Sequence, residues 1–408
     1  GRGEATGVYY LDTKSDAGAG INGFADSGWS LFIGGIRGEW RDDVESYSFF
    51  GQVDFDLSEQ FTLVTGLRYS NDDKKHSFHA RHYSTGTYAT GNPNATSIFD
   101  NATGPTLSVA ESCDYFFAPG DPLVPVCIAA GGFYNPEVTY NPSTDADAKR
   151  TFDDISAKVQ IEWTPNDDTL IYLGYNRGTK GGNWATPIFF PLDTSTFAHD
   201  GEVLNSYEIG TKLTFLDGRA RLNASAFYYD YENYQGFTLL NLAQEITNLD
   251  AEVVGAEAEL FLTPVEGLDL LVAIALLDSE VKGFTKPNGD VVNRELPQAP
   301  TFSLNFVARY EWPAFNGTLA AQVDGSYLDE QFLALDNSPV SLEPSYWDVN
   351  ARVSYTGPGD KWTIAGWVKN FTDAEHRIYS LDVGGAGFVN SLYAPPLSAG
   401  VTVSYRWE

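Results

Sequence analysis

The stretch Asn-Arg-Gly-Thr-Lys-Gly-Gly-Asn-Trp at 176–184 is the first place where side chains could bind a ligand. Its two cations stand out in a chain with 25 Lys and Arg against 55 Asp and Glu. A guanidinium binds a carboxylate or phosphate through two parallel hydrogen bonds, whereas an ammonium binds it as a point charge. We predict that an anionic ligand group is contacted here by Arg177, Lys180, Asn183 and Trp184. The alternative is that the two cations pair with neighbouring strands.

Aromatic side chains form a second candidate surface for a ligand. Tyr231 and Tyr234 follow Tyr228 and Tyr229 at the end of a predicted strand. Such rings suit a flat or amphipathic ligand, because they offer apolar faces and a hydroxyl group. The same tyrosines could instead belong to an aromatic belt on the outside of a sheet, and both interpretations stay open at this point.

Histidines give a weaker signal. His76, His79 and His82 form an H-x-x-H-x-x-H run. On a strand the first and third share a face about 20 Å apart, and the second points away. One zinc ion, with Zn–N distances of about 2.1 Å, cannot be reached by all three. No nucleophile elbow, phosphate loop or paired-carboxylate motif stands out either. We therefore predict no metal site, no cofactor and no enzymatic activity.

The two cysteines, Cys113 and Cys127, have 13 residues between them and lie within a stretch rich in polar residues, Pro and Gly. This spacing suits one disulfide that closes a loop, which implies an oxidising compartment. Two free thiols are the alternative. A zinc site is disfavoured, because no histidine or second cysteine pair lies near in sequence.

Composition excludes several classes of protein. The formal net charge of −30 argues against a nucleic-acid-binding protein, which needs Lys and Arg to neutralise phosphates. With 43% hydrophobic and 14% aromatic residues, the chain is not intrinsically disordered. The longest apolar run, 270–277, is too short for a membrane-spanning helix. A β-barrel, however, crosses lipid on short alternating segments.

Alternation of apolar and polar residues sets the predicted fold class. From 347 to 355 the odd positions are Trp, Val, Ala, Val and Tyr, and the even positions are Asp, Asn, Arg and Ser. The same period of two recurs at 154–163, 207–215 and 401–407, and it indicates an all-β chain. Aromatics at the strand ends with small aliphatics between them are typical of the girdles of a membrane barrel. We expect Val349, Val353 and Val403 to face lipid.

Turn signals give the topology. Six short turns are predicted near 58–60, 165–168, 217–218, 264–267, 313–317 and 357–360. Longer excursions separate them, and the longest, 84–150, holds both cysteines. Six turns flank twelve strands, and one strand at each end of the chain makes about fourteen. Short turns at one end and long loops at the other predict an antiparallel transmembrane β-barrel.

Seven stretches also appear in the order known from one protein family: 46–54, 61–69, 175–183, 206–212, 296–300, 368–373 and 400–407. Together they resemble the C-terminal part of the β-barrel of a TonB-dependent outer-membrane receptor. The resemblance implies a barrel of about 22 strands, so residues 1–408 would form its C-terminal portion. The N-terminal plug and the segment that contacts TonB would then lie outside these residues.

The same resemblance implies a function and its partners. The protein would lie among the lipids of the outer membrane of a Gram-negative bacterium. It would take up a scarce ligand with energy from the TonB complex, a ferric siderophore before another iron complex, a corrin or an oligosaccharide. The main alternative is a complete, smaller, passive outer-membrane channel of the fatty-acid-transporter type, because about fourteen strands would also make such a barrel.

Overall fold

The computed structural model describes residues 2–13, 34–85, 133–134, 137–140, 149–185, 198–240, 243–286, 288–383 and 388–407. These residues form β-strands and their connections, with one short 3-10 helix at Pro358–Asp360. In chain order the strands are β1 (Arg2–Thr13), β2 (Gly34–Asp56), β3 (Phe61–Thr85), β4 (Phe133–Tyr134), β5 (Glu137–Tyr140), β6 (Lys149–Asn166), β7 (Thr169–Lys180), β8 (Asn183–Trp184), β9 (Ala198–His199), β10 (Glu202–Phe215), β11 (Ala220–Leu240), β12 (Ala243–Val265), β13 (Leu268–Thr285), β14 (Val291–Arg294), β15 (Phe302–Ala314), β16 (Gly317–Leu328), β17 (Gln331–Phe332), β18 (Leu342–Glu343), β19 (Tyr346–Thr356), β20 (Trp362–Lys369), β21 (Arg377–Val383), β22 (Phe388–Tyr393) and β23 (Ser398–Tyr405). In the described part of the chain, no helix is long and apolar enough to cross a membrane.

Seventeen of these strands form one antiparallel sheet. Three of the seventeen, β4, β5 and β14, are short. The other fourteen pair in chain order as β1-β2-β3-β6-β7-β10-β11-β12-β13-β15-β16-β19-β20-β23. The predicted all-β antiparallel fold with about fourteen strands is confirmed. Among the described residues β1 and β23 do not pair with each other, so the sheet has two open edges.

The short turns all lie at one end of the sheet. Each of the six predicted turns joins two successive long strands, for example β12 to β13 through Glu266 and Gly267. The opposite end carries the longer connections, such as those at 181–201, 329–345 and 370–397. Within the predicted loop 84–150, β4 and β5 pair with the C-terminal part of β3. We call the end with the longer connections the outer end.

One face of the sheet is apolar and exposed. Leu173 of β7 lies directly opposite Ile209 of β10, and both side chains are more than half exposed. Tyrosines line the outer end of this face, where ring centroids are 5.1 Å apart for Tyr175 and Tyr207. Other aromatics line the end with the short turns, including the stacked rings of Phe61 and Trp163. Two aromatic rows that flank an apolar band match the surface of a membrane barrel.

Val349 is an exception to the expected exposure of this face. Val353 and Val403 are 55% and 69% exposed, but Val349 is only 8% exposed. The chain that follows β20 lies directly beside Val349, since the amide of Phe371 donates a hydrogen bond to the Val349 carbonyl at 2.8 Å. Alternation thus predicts the face of the sheet on which Val349 lies. It does not predict that another segment of the chain lies beside this residue.

Candidate functional site

The predicted ligand residues lie at the outer end of β7, but they do not share one face of the sheet. Arg177 lies opposite Asn205, two positions beyond Tyr175 on the exposed apolar face. Its guanidinium donates a hydrogen bond to the Ile155 carbonyl, and it lies 3.8 Å from the Asp154 carboxylate. Lys180, three residues further on, belongs to the opposite, inner face and is exposed. The structure therefore separates the two cations that the sequence grouped together.

Two other cations hold the connection that follows Lys180. Lys74 Nζ donates to the Gly182 carbonyl at 2.9 Å, and Arg150 Nη1 donates to the His199 carbonyl at 2.9 Å. Arg150 also pairs with the Asp200 carboxylate. The ring of Phe152 lies 5.4 Å from Lys74 Nζ and 5.0 Å from Arg150 Cζ. No sequence motif predicts this cluster, although Arg150 and Phe152 are alternate residues on the inner face of β6.

Trp184 is a packed residue in this structure. Its side chain is 5% exposed and stacks on His76, with ring centroids 5.4 Å apart. His76 is fully buried, and its Nδ1 lies 2.6 Å from the Asp42 carboxylate. Asn183, the neighbour of Trp184, is exposed. All three histidines of the run lie on β3, and in the described residues no three His, Cys, Asp or Glu side chains could share a metal ion.

Tyr231 and Tyr234 meet on the inner face because β11 carries a bulge. The register with β12 shifts between them, so Tyr231 lies opposite Ala251 and Tyr234 lies opposite Leu249. Their ring centroids are 5.9 Å apart in an edge-to-face arrangement. Burial raises the pKa of both phenols, and the Glu202 carboxylate adds to the rise. Both hydroxyl groups therefore stay protonated at neutral pH and can donate hydrogen bonds.

Gln235 links β11, which carries the two tyrosines, to the connection that follows β7. Its backbone amide donates to the Glu202 carboxylate at 2.8 Å, and its side-chain amide donates to the carbonyls of Asp200 at 3.0 Å and Gly181 at 3.3 Å. The connection beyond Lys180 is thereby fixed beside the tyrosines. We call the surface formed by Lys180, Glu202, Tyr231, Tyr234 and Gln235 the mouth site.

An apolar cluster lies behind the two tyrosines. Its fully buried members are Ala251, Val281, Phe284 and Leu335, and Tyr231 and Tyr234 pack against them. Leu335 does not belong to the barrel wall, since it comes from the connection at 329–345. No periodic pattern in the sequence predicts this contact, because Leu335 lies in no long strand.

A buried ion pair ties this connection to the next one. Arg377 Nε lies 2.6 Å from the Glu343 carboxylate, which is 4% exposed. The same guanidinium donates to the carbonyls of Val340 and Leu342, each at 2.5 Å. The Arg377 guanidinium therefore joins two segments through these three contacts. One segment is the hairpin formed by β21 and β22, and the other is the connection at 329–345. Cys113 and Cys127 lie outside the described residues, and their disulfide stays a prediction.

The fold and the aromatic rows define an outer-membrane type of barrel sheet, and comparison with known families agrees. Residues 2–371 match the family model described as TonB dependent receptor-like, beta-barrel. The chain belongs to this family, and the resemblance inferred from the sequence is confirmed. Its members are transporters of the Gram-negative outer membrane rather than enzymes, which agrees with the absence of enzymatic activity predicted above.

Several solved structures share the fold. The ferric yersiniabactin uptake receptor FyuA from Yersinia pestis matches with a TM-score of 0.63 and 13% identity, covering 98% of this chain and 54% of that one. The ferric-catecholate import receptor Fiu from E. coli K12, in its closed form, matches with a TM-score of 0.56 and 14% identity, covering 91% and 45%. BauA, the ferric preacinetobactin receptor from Acinetobacter baumannii, matches with a TM-score of 0.53 and 15% identity, covering 99% and 59%. The chain spans about half the length of these structures.

Proposed function

We propose that this chain is the C-terminal part of the barrel of an outer-membrane receptor that takes up a ferric siderophore with energy from the TonB complex. The family match over residues 2–371 is the observation that carries the proposal. The similar structures support the ligand class, because all three proteins are receptors for a ferric ligand. The plug and the TonB-contacting segment would be supplied by other parts of the receptor.

The mouth site suits an anionic chelate that carries ring or alkyl groups. Lys180 offers an exposed ammonium on the inner face, where it can bind an anionic oxygen as a point charge. Tyr231 and Tyr234 offer rings and protonated hydroxyl groups. We assign Lys180, Tyr231 and Tyr234 to ligand binding and Asn183 to its rim. Arg177 and Trp184 are assigned to structural roles, since one faces outward and the other is buried.

Uptake by the full-length receptor tests the proposal. The receptor would be expressed in a Gram-negative strain that lacks its own siderophore receptors, and the uptake of ⁵⁵Fe would be measured. The probes would be ferric yersiniabactin, ferric preacinetobactin and a ferric catecholate. We expect saturable uptake of at least one complex, abolished by a protonophore and by deletion of TonB. Uptake that persists without an energy source, or uptake of fatty acids alone, would instead identify a passive channel.

Neutralising Lys180 is expected to weaken ligand binding. A hydrogen bond to a charged group contributes about 1.5 kcal/mol or more, so Lys180→Gln should raise the Kd for the ferric ligand about tenfold. Lys75→Gln is the matched control, because Lys75 is also exposed near the outer end but lies on the opposite face of the sheet. Binding would be measured by fluorescence quenching on purified receptor. Equal Kd values for the two variants would show that Lys180 does not bind the ligand.

A further inference from the structure

The apolar end of the mouth site is occupied by the receptor itself. Leu335 belongs to a buried apolar cluster with Val281 and Phe284, and Tyr231 and Tyr234 pack against this cluster. Leu335 is 2% exposed, and we call its place among these side chains the pocket. An isobutyl group therefore covers the same ring surfaces that we assign to ligand binding.

The barrel wall is shaped for this close approach. Gly236 follows Tyr234 by two positions on β11, and a Cβ atom built on it would overlap Cδ2 of Leu335. A glycine inside a strand weakens the strand and often marks the place where another group approaches the backbone. At Gly236 the approaching group is Leu335, which belongs to the connection at 329–345 and not to a neighbouring strand.

Leu335 lies at the tip of a small hairpin. Strands β17 and β18 pair at its base, and the Leu333 amide donates to the Ser341 carbonyl at 2.8 Å. The Arg377 guanidinium holds this base through the Glu343 carboxylate and the carbonyls of Val340 and Leu342. The base also accepts a hydrogen bond at the Phe332 carbonyl from the Gln298 amide at 2.7 Å. The tip has fewer polar contacts with the rest of the chain, namely those of Asn337 with the Glu295 backbone at 2.7 and 3.1 Å. The base is thus attached more firmly than the tip.

We propose that Leu335 is a latch, which closes the apolar part of the mouth site in the unliganded receptor and is replaced there by a ring or alkyl group of the ligand. This inference rests on the proposed function. The tip of the hairpin moves out of the pocket, while Arg377 keeps its base in place. Burial of a leucine side chain changes an equilibrium constant by about 10- to 100-fold. A ligand group of similar apolar area can offset that factor, so it can displace the latch.

Locking the latch is the first test. In the full-length receptor, Gly236→Cys and Leu335→Cys would be combined. A Cβ at 236 overlaps Leu335 Cδ2, so the two Cβ atoms lie within about 5 Å, near the ~3.8 Å of a disulfide. The probe is whichever of the ferric complexes named above binds to the unmodified receptor. We expect the oxidised variant to bind it at least tenfold more weakly than the same variant after reduction. Unmodified receptor treated with the same reductant is the control. Equal binding by the oxidised and reduced forms would overturn the latch.

A second test needs no ligand. The single variant Leu335→Cys should react with a water-soluble thiol reagent at least tenfold more slowly than Val340→Cys, but at a measurable rate. Val340 is 39% exposed in the same connection and serves as the open control. Labelling of the unmodified receptor gives the background from its own cysteines. A complete lack of reaction, or a rate equal to that of Val340→Cys, would overturn the latch. If no ferric complex binds to the unmodified receptor, the proposed function is wrong. The labelling experiment alone then tests whether Leu335 acts as a latch.

Discussion

Replacing Gly267 with valine is expected to lower the free energy of unfolding by about 3 kcal/mol. Gly267 has a φ of 82°, a left-handed conformation that costs other residues roughly 1–2 kcal/mol. A Cβ at this position would also overlap the backbone carbonyl oxygen of Glu311. The turn between β12 and β13 would have to move away from β15, which would break the bond from the Glu311 amide to the Gly267 carbonyl, 2.8 Å long. Loss of that bond costs about another 1–2 kcal/mol.

Gly218→Val is the matched control for this prediction. Gly218 has the same φ of 82° in the turn between β10 and β11, but no heavy atom lies within 4 Å of a Cβ built there. The decrease in the free energy of unfolding of Gly218→Val should therefore be limited to the cost of the left-handed conformation. Unfolding by guanidinium in detergent micelles would measure both variants. A loss as small for Gly267→Val as for Gly218→Val would show that contact with β15 does not matter.

Placing an arginine on the apolar face is expected to destabilise the folded receptor by about 2–4 kcal/mol. Ile274 is a suitable position, because it is 41% exposed and lies opposite Leu304 and Ala258 in the middle of that face. A guanidinium there would lie in hydrocarbon without water or a counter-charge. The free energy of folding of Ile274→Arg into lipid vesicles would be compared with that of the unmodified receptor.

The neighbouring residue supplies the control. Ala273 lies on the inner face and lines a groove of about 440 Å³ with polar neighbours such as Lys212 and Glu257. Ala273→Arg should change the free energy of folding by less than about 1 kcal/mol, because the groove has room and polar groups for the new side chain. Similar losses for the two variants would contradict the assignment of lipid and lumen faces.

The strands and turns could be predicted because each rests on local chemistry. Alternation along 347–355 places β19 within one residue at either end. Turn residues such as Asp217-Gly218 and Glu266-Gly267 adopt positive φ at the glycine, which explains why these pairs could be recognised. Pairing of successive strands then follows from the short turns between them.

The mouth site was harder to predict, because it depends on departures from alternation. Tyr231 and Tyr234 have opposite parity in the sequence, and only the bulge between them brings both to the inner face. Arg177 and Lys180 are close in the chain, yet a period of two places them on opposite faces. Leu335 packs on β11 from a connection about 100 residues away, and no local pattern encodes such a contact.

The order of the strands also has a consequence for assembly. Each of the fourteen long strands pairs with its neighbours in the chain, and the first and last of them have one partner each. The sheet can therefore grow hairpin by hairpin, with a small loop-closure entropy at each step, and no earlier ladder has to open. Every backbone group left unpaired in hydrocarbon costs several kcal/mol, but such groups occur only at the two edges of the growing sheet. The energetic cost of those edges is then the same for a sheet of a few strands as for one of fourteen.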